Sequence, residues 1–211
     1  MGQALIFGLI GSSALVFGGA LGAYWTVPHR VSGVLLAFAS GTLISALAFE
    51  LFPEAEQTER LEEASSQGAS AAVGFALLAA VTLDGVPENL ALGVSLLSGG
   101  GSIVLLVAIF CSNFPEALAG AVAMRRGGRS ASFAVGIWTL AALLLTLAVL
   151  FGRAVFAQFP AESLAFPLAF AGGAVLASLA DTLMPEAFEH GRPLNSMSTA
   201  VGFLLSFVLS V

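Results

Sequence analysis

The chain has 211 residues, of which 58% are hydrophobic and only 9% are charged. A soluble domain carries about 25% charged residues, so this composition excludes a water-soluble globular protein. The net charge is −6, there is no lysine, and the seven arginines form no basic patch that would indicate nucleic acid.

Seven apolar segments approach the roughly 20 residues that a membrane-spanning helix requires. The first has no basic residues before it and ends in the interfacial pair Tyr24-Trp25, which predicts a retained span and not a signal peptide. We predict an all-α polytopic transmembrane bundle of seven to eight helices, the eighth arising if the third segment is split. The segments are Ala4–Trp25, Val31–Phe52, Ala69–Leu97, Ser102–Met124, Ala131–Phe156, Leu164–Phe188 and Ser196–Val211.

Arginine placement predicts orientation, because loops on the cytoplasmic side carry the excess of basic residues. With seven spans, the arginine-rich side holds Arg60, Arg125, Arg126, Arg129 and Arg192. With eight spans, Arg30 replaces Arg60 on that side, and the division is again five to two. The seven-span count predicts a cytoplasmic N-terminus, and because both counts divide the arginines five to two, the arginines do not decide the number of spans.

The sequence contains an internal repeat. Leu35–Gln57 and Pro167–Glu189 align without gaps and are identical at eleven of 23 positions, including a shared Pro-Glu-Ala ending. Repeated halves around central broken helices are typical of transporters, whose binding sites lie near the bilayer midplane. We predict one domain, 1–211, with repeats over about 1–68 and 131–211 and two central Pro-kinked helices over about 69–124.

Two polar motifs lie within apolar central segments. The first runs from Asp84 to Asn89 and includes Glu88, and a helix would place its two carboxylates on one face. The second, Ser112-Asn113-Phe114-Pro115-Glu116, likewise places Asn113 and Glu116 on one face. In each motif a proline removes a backbone hydrogen bond and leaves a carbonyl oxygen available. We expect carboxylate, amide and carbonyl oxygens at similar depth.

An ionised acid at the centre of a membrane helix costs about 2.5–3.5 kcal/mol on insertion scales. Asp84, Glu88 and Glu116 would each carry that cost, and neither central span contains an arginine to offset it. The acids can become protonated, or a divalent cation can neutralise two at once. We favour an ion or proton pathway, and the alternative is kinked helices whose acids are neutral, hydrogen-bonded and purely structural.

Further acids and two histidines lie near the repeat segments. Glu50 and Asp181 lie deeper in their spans and are predicted to line the pathway, whereas Glu186 is expected at the membrane interface. His29 and His190 are expected in solvated loops. Cys111, the only cysteine, excludes an intrachain disulfide and is expected to be a buried thiol, although ligation of a soft metal is an alternative.

At these motifs the sequence resembles the prokaryotic members of the ZIP (Zrt/Irt-like) family of divalent metal transporters. That family carries His-Asn-x-Pro-Glu-Gly-type motifs on its fourth and fifth helices and Pro-Glu-Ala-like endings on its second and seventh. The resemblance covers about Val31 to Val211. It implies eight helices, a central metal site and residence in a prokaryotic cytoplasmic membrane. The implied ligands are Asp84, Glu88, Asn113 and Glu116, with Ser112 beside them.

Departures from the family pattern shape the expected chemistry. Asp84 and Ser112 stand where the family has histidine, and Ala131–Phe156 lacks the acid that many relatives place there. The resemblance therefore implies one oxygen-rich site, with Zn²⁺ as first choice and Mn²⁺, Fe²⁺ or Cd²⁺ as alternatives. The family's third helix is also hard to find between Glu54 and Pro87. Either the chain lacks it, or a segment is absent from the sequence.

We predict a transporter of divalent cations that is not an enzyme and needs no prosthetic group, with the metal and the bilayer as partners and a homodimer as one possible assembly. Two alternatives stay open. One is a proton- or sodium-linked carrier of another small solute, in which the carboxylates are proton relays. The other is a ZIP-like membrane protein that has lost transport. No nucleophile–base pair or catalytic motif is visible in the sequence.

Overall fold

The computed structural model describes residues 1–25, 27–51, 73–98, 102–160 and 164–210. Positions 50, 73–84, 98 and 102 are described for their backbone only. Within these ranges all regular secondary structure is helical. The helices are α1 Gly2–Tyr24, α2 His29–Ala46, α3 Val73–Ser98, α4 Ser102–Arg126, α5 Ala131–Phe156, α6 Ala165–Ser178, α7 Met184–Gly191 and α8 Asn195–Ser210.

Five continuous helical segments among the described residues are long and apolar enough to cross a membrane. Their outward surfaces carry large apolar side chains, such as Phe17 on α1 at 63% exposure and Leu147 on α5 at 61%. A water-soluble fold would bury such residues, so this surface suits lipid, as expected of an integral membrane protein. The segments are Gly2–Tyr24, His29–Phe49, Ile103–Arg126, Ala131–Phe156 and Ala165–Gly191.

The two central helices each run continuously through a proline, Pro87 in α3 and Pro115 in α4. In an apolar helix, neighbouring helices and side chains can compensate for the hydrogen bond that a proline removes. The continuity of α3 from Val73 to Ser98 bears on the alternative of eight spans. Within 73–98 no break divides the predicted segment into two spans, and the total number of spans stays a prediction.

Helix α1 packs directly on the backbone of α4. A side chain at Gly18 would collide with the carbonyl oxygen of Phe114, and one at Gly22 would collide with that of Leu118. Residue numbers rise together along the two helices at these contacts, so α1 and α4 run parallel. Small residues allow this close approach, which is the usual basis of helix association in membranes.

Two five-residue π-helical turns interrupt the regular α-helical geometry. Leu47–Leu51 follows α2, and Leu179–Leu183 connects α6 to α7. The turns occupy equivalent positions in the two segments whose sequences repeat. π-turns within helices are rare and are frequently found at functional sites. The two segments therefore share an unusual backbone feature in addition to their matching sequence.

Most arginines among the described residues lie at one end of the bundle. Arg126, at the end of α4, contacts His29 at the start of α2, and the His29 ring stacks on that of His190 near the end of α7. Arg30, Arg125, Arg129 and Arg192 adjoin these positions, whereas Arg153 lies in the last turn of α5. The end of α4 lies against the start of α2, so these two helices run in opposite directions. Helices α3 and α4 form a short hairpin and also run in opposite directions, so α3 runs parallel to α2. Leu51 and Val73 therefore lie at opposite ends of the bundle.

Candidate metal centre on the two proline-containing helices

The two proline-containing motifs place five buried polar side chains on α3 and α4. Glu88 and Glu116 are each 5% exposed, and Asn89, Ser112 and Asn113 are at most 1% exposed. All five belong to the two motifs that contain the helix prolines. Burial of polar groups at this density is costly unless each finds a partner, so the cluster marks a specialised region of the bundle.

The buried polar groups lie at similar depth. Glu88 is ten residues before the end of α3, and Asn113 and Glu116 are eleven and fourteen residues after the start of α4. With a rise of 1.5 Å per residue, these positions lie about 15, 17 and 21 Å from the α3–α4 connection. A hydrocarbon core is about 30 Å thick, so with the connection at its border the groups lie near the midplane.

Three of these side chains each donate one hydrogen bond to a backbone carbonyl. The Ser112 hydroxyl donates to the Ile109 carbonyl at 3.0 Å, and the Asn89 amide nitrogen donates to the Gly85 carbonyl at 2.8 Å. The Asn113 amide nitrogen reaches the Gly11 carbonyl of α1 at 3.4 Å. A carbonyl can only accept, which fixes each amide with its nitrogen toward the backbone. Most of the remaining polar atoms are oxygens, and such an environment favours cations.

Asn89 is the member of this cluster that the sequence analysis did not single out as a ligand. It is fully buried, and no described group donates a hydrogen bond to its side-chain carbonyl oxygen. Leaving a buried acceptor unsatisfied costs about 1–3 kcal/mol. A signal was present in the sequence, because Asn89 directly follows Glu88 within the first motif. Its amide oxygen is a candidate neutral ligand next to Glu88 in the sequence.

The prolines supply further oxygens. A proline has no N–H, so Pro87 cannot donate to the carbonyl of Leu83, nor Pro115 to that of Cys111. These carbonyls lie one turn before the buried acids, on the helices that carry them. Together with the side chains, they give α3 and α4 the carboxylate, amide, hydroxyl and carbonyl oxygens predicted from the motifs.

Three other residues were predicted to line the pathway or bind the metal, namely Asp84, Glu50 and Asp181. The side chains of Asp84 and Glu50 lie outside the described residues. Asp181 lies in the π-turn between α6 and α7, where its side chain is exposed. Glu88, Ser112, Asn113 and Glu116 are thus buried, whereas the Asp181 side chain is exposed.

The prediction that His29 and His190 occupy loops is wrong. His29 is the first residue of α2 and His190 the penultimate residue of α7. Their rings stack with centroids 4.8 Å apart. Neither position carried a helix signal, because the neighbouring Pro28 and Pro193 resemble loop punctuation.

No protein-family model matches the chain, and no curated protein sequence matches it. The function is therefore inferred from the residues and their geometry.

Proposed function

We propose that this chain is a ZIP-like membrane transporter that carries a divalent metal cation through the buried oxygen cluster on α3 and α4. The observation that supports the proposal most strongly is the combination of two buried carboxylates, Glu88 and Glu116, with three buried side chains that each donate to a backbone carbonyl and carry an oxygen. An anion or neutral solute would find few donors there, whereas a cation finds oxygen ligands.

A divalent cation also resolves the electrostatic cost of the two acids. Carboxylates within the hydrocarbon region are expensive, and one doubly charged ion can neutralise both without any basic side chain. Ser112, Asn89 and Asn113 would then complete the coordination through neutral oxygens, and the helix prolines contribute backbone carbonyls. We infer that the Asp84 carboxylate, one turn before Glu88, joins the same site.

The donor set guides the choice of metal. Zinc accepts carboxylate oxygens at about 2.0–2.2 Å but usually also takes imidazole or thiolate ligands in proteins. An all-oxygen centre suits harder ions better, so we place Mn²⁺ and Fe²⁺ beside Zn²⁺ as cargo, with Cd²⁺ as a further alternative. We propose residence in a cytoplasmic membrane, with the arginine-rich end of the bundle facing the cytoplasm.

The repeated segments provide a mechanism for release. We propose that the two segments carrying the π-turns rock around α3 and α4, which exposes the centre to each side of the membrane in turn. The π-turns at equivalent positions, Leu47–Leu51 and Leu179–Leu183, support this proposal because they are local departures from regular helix at which the segments can bend.

Flux into liposomes tests the function directly. Purified protein is reconstituted, and uptake of Zn²⁺ and Mn²⁺ is followed with a trapped fluorescent indicator. We expect Glu88→Gln and Glu116→Gln to lower flux by at least about tenfold, because each removes one charge from the site while keeping its shape. Ser95→Ala is the matched control, since Ser95 is buried on α3 but lies seven residues beyond Glu88, about 10 Å closer to the α3–α4 connection.

Two other outcomes favour the remaining interpretations. Proton or sodium movement that depends on Glu88 and Glu116 without any divalent flux would support a carrier of another solute. Equal flux of divalent cations in the wild type and in both glutamine variants would contradict the proposed metal centre.

A further inference from the structure

A second group of potential metal ligands lies far along the chain from the central cluster, at the arginine-rich end of the bundle. Glu186, Glu189 and His190 occupy positions i, i+3 and i+4 of α7, so they share one face of the helix. One ligand atom from each can be chosen so that all three lie within 4.8 Å of one another. The His190 Nδ1 atom and a Glu186 carboxylate oxygen are 3.4 Å apart.

A second imidazole lies nearby on another helix, outside the group of three ligand atoms that lie within 4.8 Å of one another. The imidazole of His29, at the start of α2, stacks on that of His190 with an interplanar angle of 30°. The backbone fixes this approach, because a side chain at Gly33, one turn into α2, would collide with the backbone of His190 and Gly191. The two histidines are thus held together by direct packing of α2 on α7, although 160 residues separate them in the sequence.

We propose that Glu186, Glu189, His190 and His29 form a second metal site, which binds a borderline divalent cation such as Zn²⁺ and clamps α2 to α7. One or two imidazole nitrogens with carboxylate oxygens form a ligand set that Zn²⁺ favours. The central cluster offers only oxygens, so the two sites differ in metal preference. This proposal stands independently of transport, because it concerns binding at the end of the bundle.

Two neighbouring arginines affect cation binding at this site. Arg126 of α4 contacts the ring nitrogens of His29, and the guanidinium would repel a cation bound there. Arg192, beyond the end of α7, lies over the Phe188 ring instead, with its guanidinium carbon 3.8 Å from the centroid. Metal binding therefore requires His29 to exchange Arg126 for the ion, while Glu186 and Glu189 supply the compensating negative charge.

The experiment uses the full chain, purified in detergent with any affinity tag removed, in the Glu88→Gln/Glu116→Gln background that disables the central cluster. Zinc is added as the chloride in competition with a chromophoric chelator. We expect about one zinc equivalent to remain bound. His190→Ala should weaken that binding by at least about tenfold, and His29→Ala should weaken it less.

Two further variants separate a built site from nonspecific binding. Arg126→Gln should strengthen zinc binding severalfold, because it removes the competing cation. His190→Gln keeps much of the side-chain volume but lacks the imidazole nitrogen, so it should match His190→Ala. Circular dichroism and gel filtration confirm that each variant keeps its helical content and remains monodisperse.

The competing results are distinct. The proposal is overturned when folded double-glutamine protein binds no zinc, or when His190→Ala binds zinc as tightly as its parent. Failure of the transport function would show as absent flux in wild-type liposomes, and that result leaves the zinc titration of this end site unchanged.

Discussion

The centre of α3 and α4 and the end of α2 and α7 use glutamate in opposite surroundings. Glu88 and Glu116 are almost fully buried among neutral oxygens at mid-depth, whereas Glu186 and Glu189 lie partly or wholly exposed beside histidines. The proposed translocation centre and the proposed peripheral site both contain acids. They differ in the burial of those acids and in the donor groups that surround them.

Both regions depend on glycines that let helix backbones touch. Gly18 brings α1 against α4 beside Pro115, and Gly33 brings α2 against α7 beside His190. Each glycine therefore positions one of the two groups of ligands without contributing a ligand itself. Separate substitutions of Gly18 and Gly33 therefore test whether each glycine positions its own group of ligands.

The largest effect is expected from Gly18→Val. The new side chain would collide with the Phe114 carbonyl, and overpacking of this kind costs roughly 1–3 kcal/mol or more. We expect a large loss of folded protein in fluorescence-detected gel filtration and of flux in what remains. Gly136→Val on α5 is the control, because that position has open space around it. Equal behaviour of the two variants would contradict the packing of α1 on α4.

Gly33→Val should separate the two regions. Its side chain would collide with the backbone of His190 and Gly191, which moves His29 away from the α7 ligands. We expect zinc affinity of the end site, measured in the double-glutamine background, to fall by about tenfold. In a background with intact glutamates, flux through the centre should change less than binding at the end. A fall in flux with unchanged zinc affinity at the end site would contradict the role of Gly33 in positioning the ligands on α2 and α7.

Asn89→Leu tests the oxygen cluster through stability as well as binding. The substitution removes a buried carbonyl oxygen for which no described group is a donor, so metal-free thermal stability should stay equal or rise slightly. The stabilisation that added Mn²⁺ or Zn²⁺ produces should shrink, because the ligand is lost. A thermal-shift assay with and without metal measures both. An unchanged metal-dependent shift would remove Asn89 from the centre.

The smallest effect is expected from Asp181→Asn. This side chain is exposed in the π-turn between α6 and α7, and exposed substitutions usually change stability by less than about 0.5 kcal/mol. Liposome flux should change by less than about twofold, well below the effect of Glu88→Gln. A larger loss of flux would instead restore Asp181 to the pathway predicted from the sequence.

Local pattern explains why the helices were predictable. Long apolar runs predicted most helix positions to within a few residues; for example, Ala131–Phe156 has the same bounds in both descriptions. The positions of Pro87 and Pro115 inside helices followed equally from the apolar sequence around them. The single-domain boundaries, the number of spans and the homodimer stay predictions.

Contacts between distant segments explain what the sequence analysis missed. The stacking of His29 on His190 depends on the approach of α2 and α7 at Gly33, which no local pattern reports. Asn89 was overlooked because its hydrogen bond to Gly85 and the state of its oxygen are visible only in three dimensions. Similarly, the exposure of Asp181 depends on which face of its turn packs inward, and one acid in an apolar segment does not reveal that face.

Anomalous diffraction from crystals grown with Zn²⁺ or Mn²⁺ tests the central claim most directly. We predict an anomalous peak between α3 and α4, about 2.0–2.2 Å from carboxylate oxygens of Glu88 and Glu116 for zinc, and its loss in Glu116→Gln crystals. A metal-loaded crystal with no peak between these helices, or with the two carboxylates too far apart to share one ion, would contradict the account.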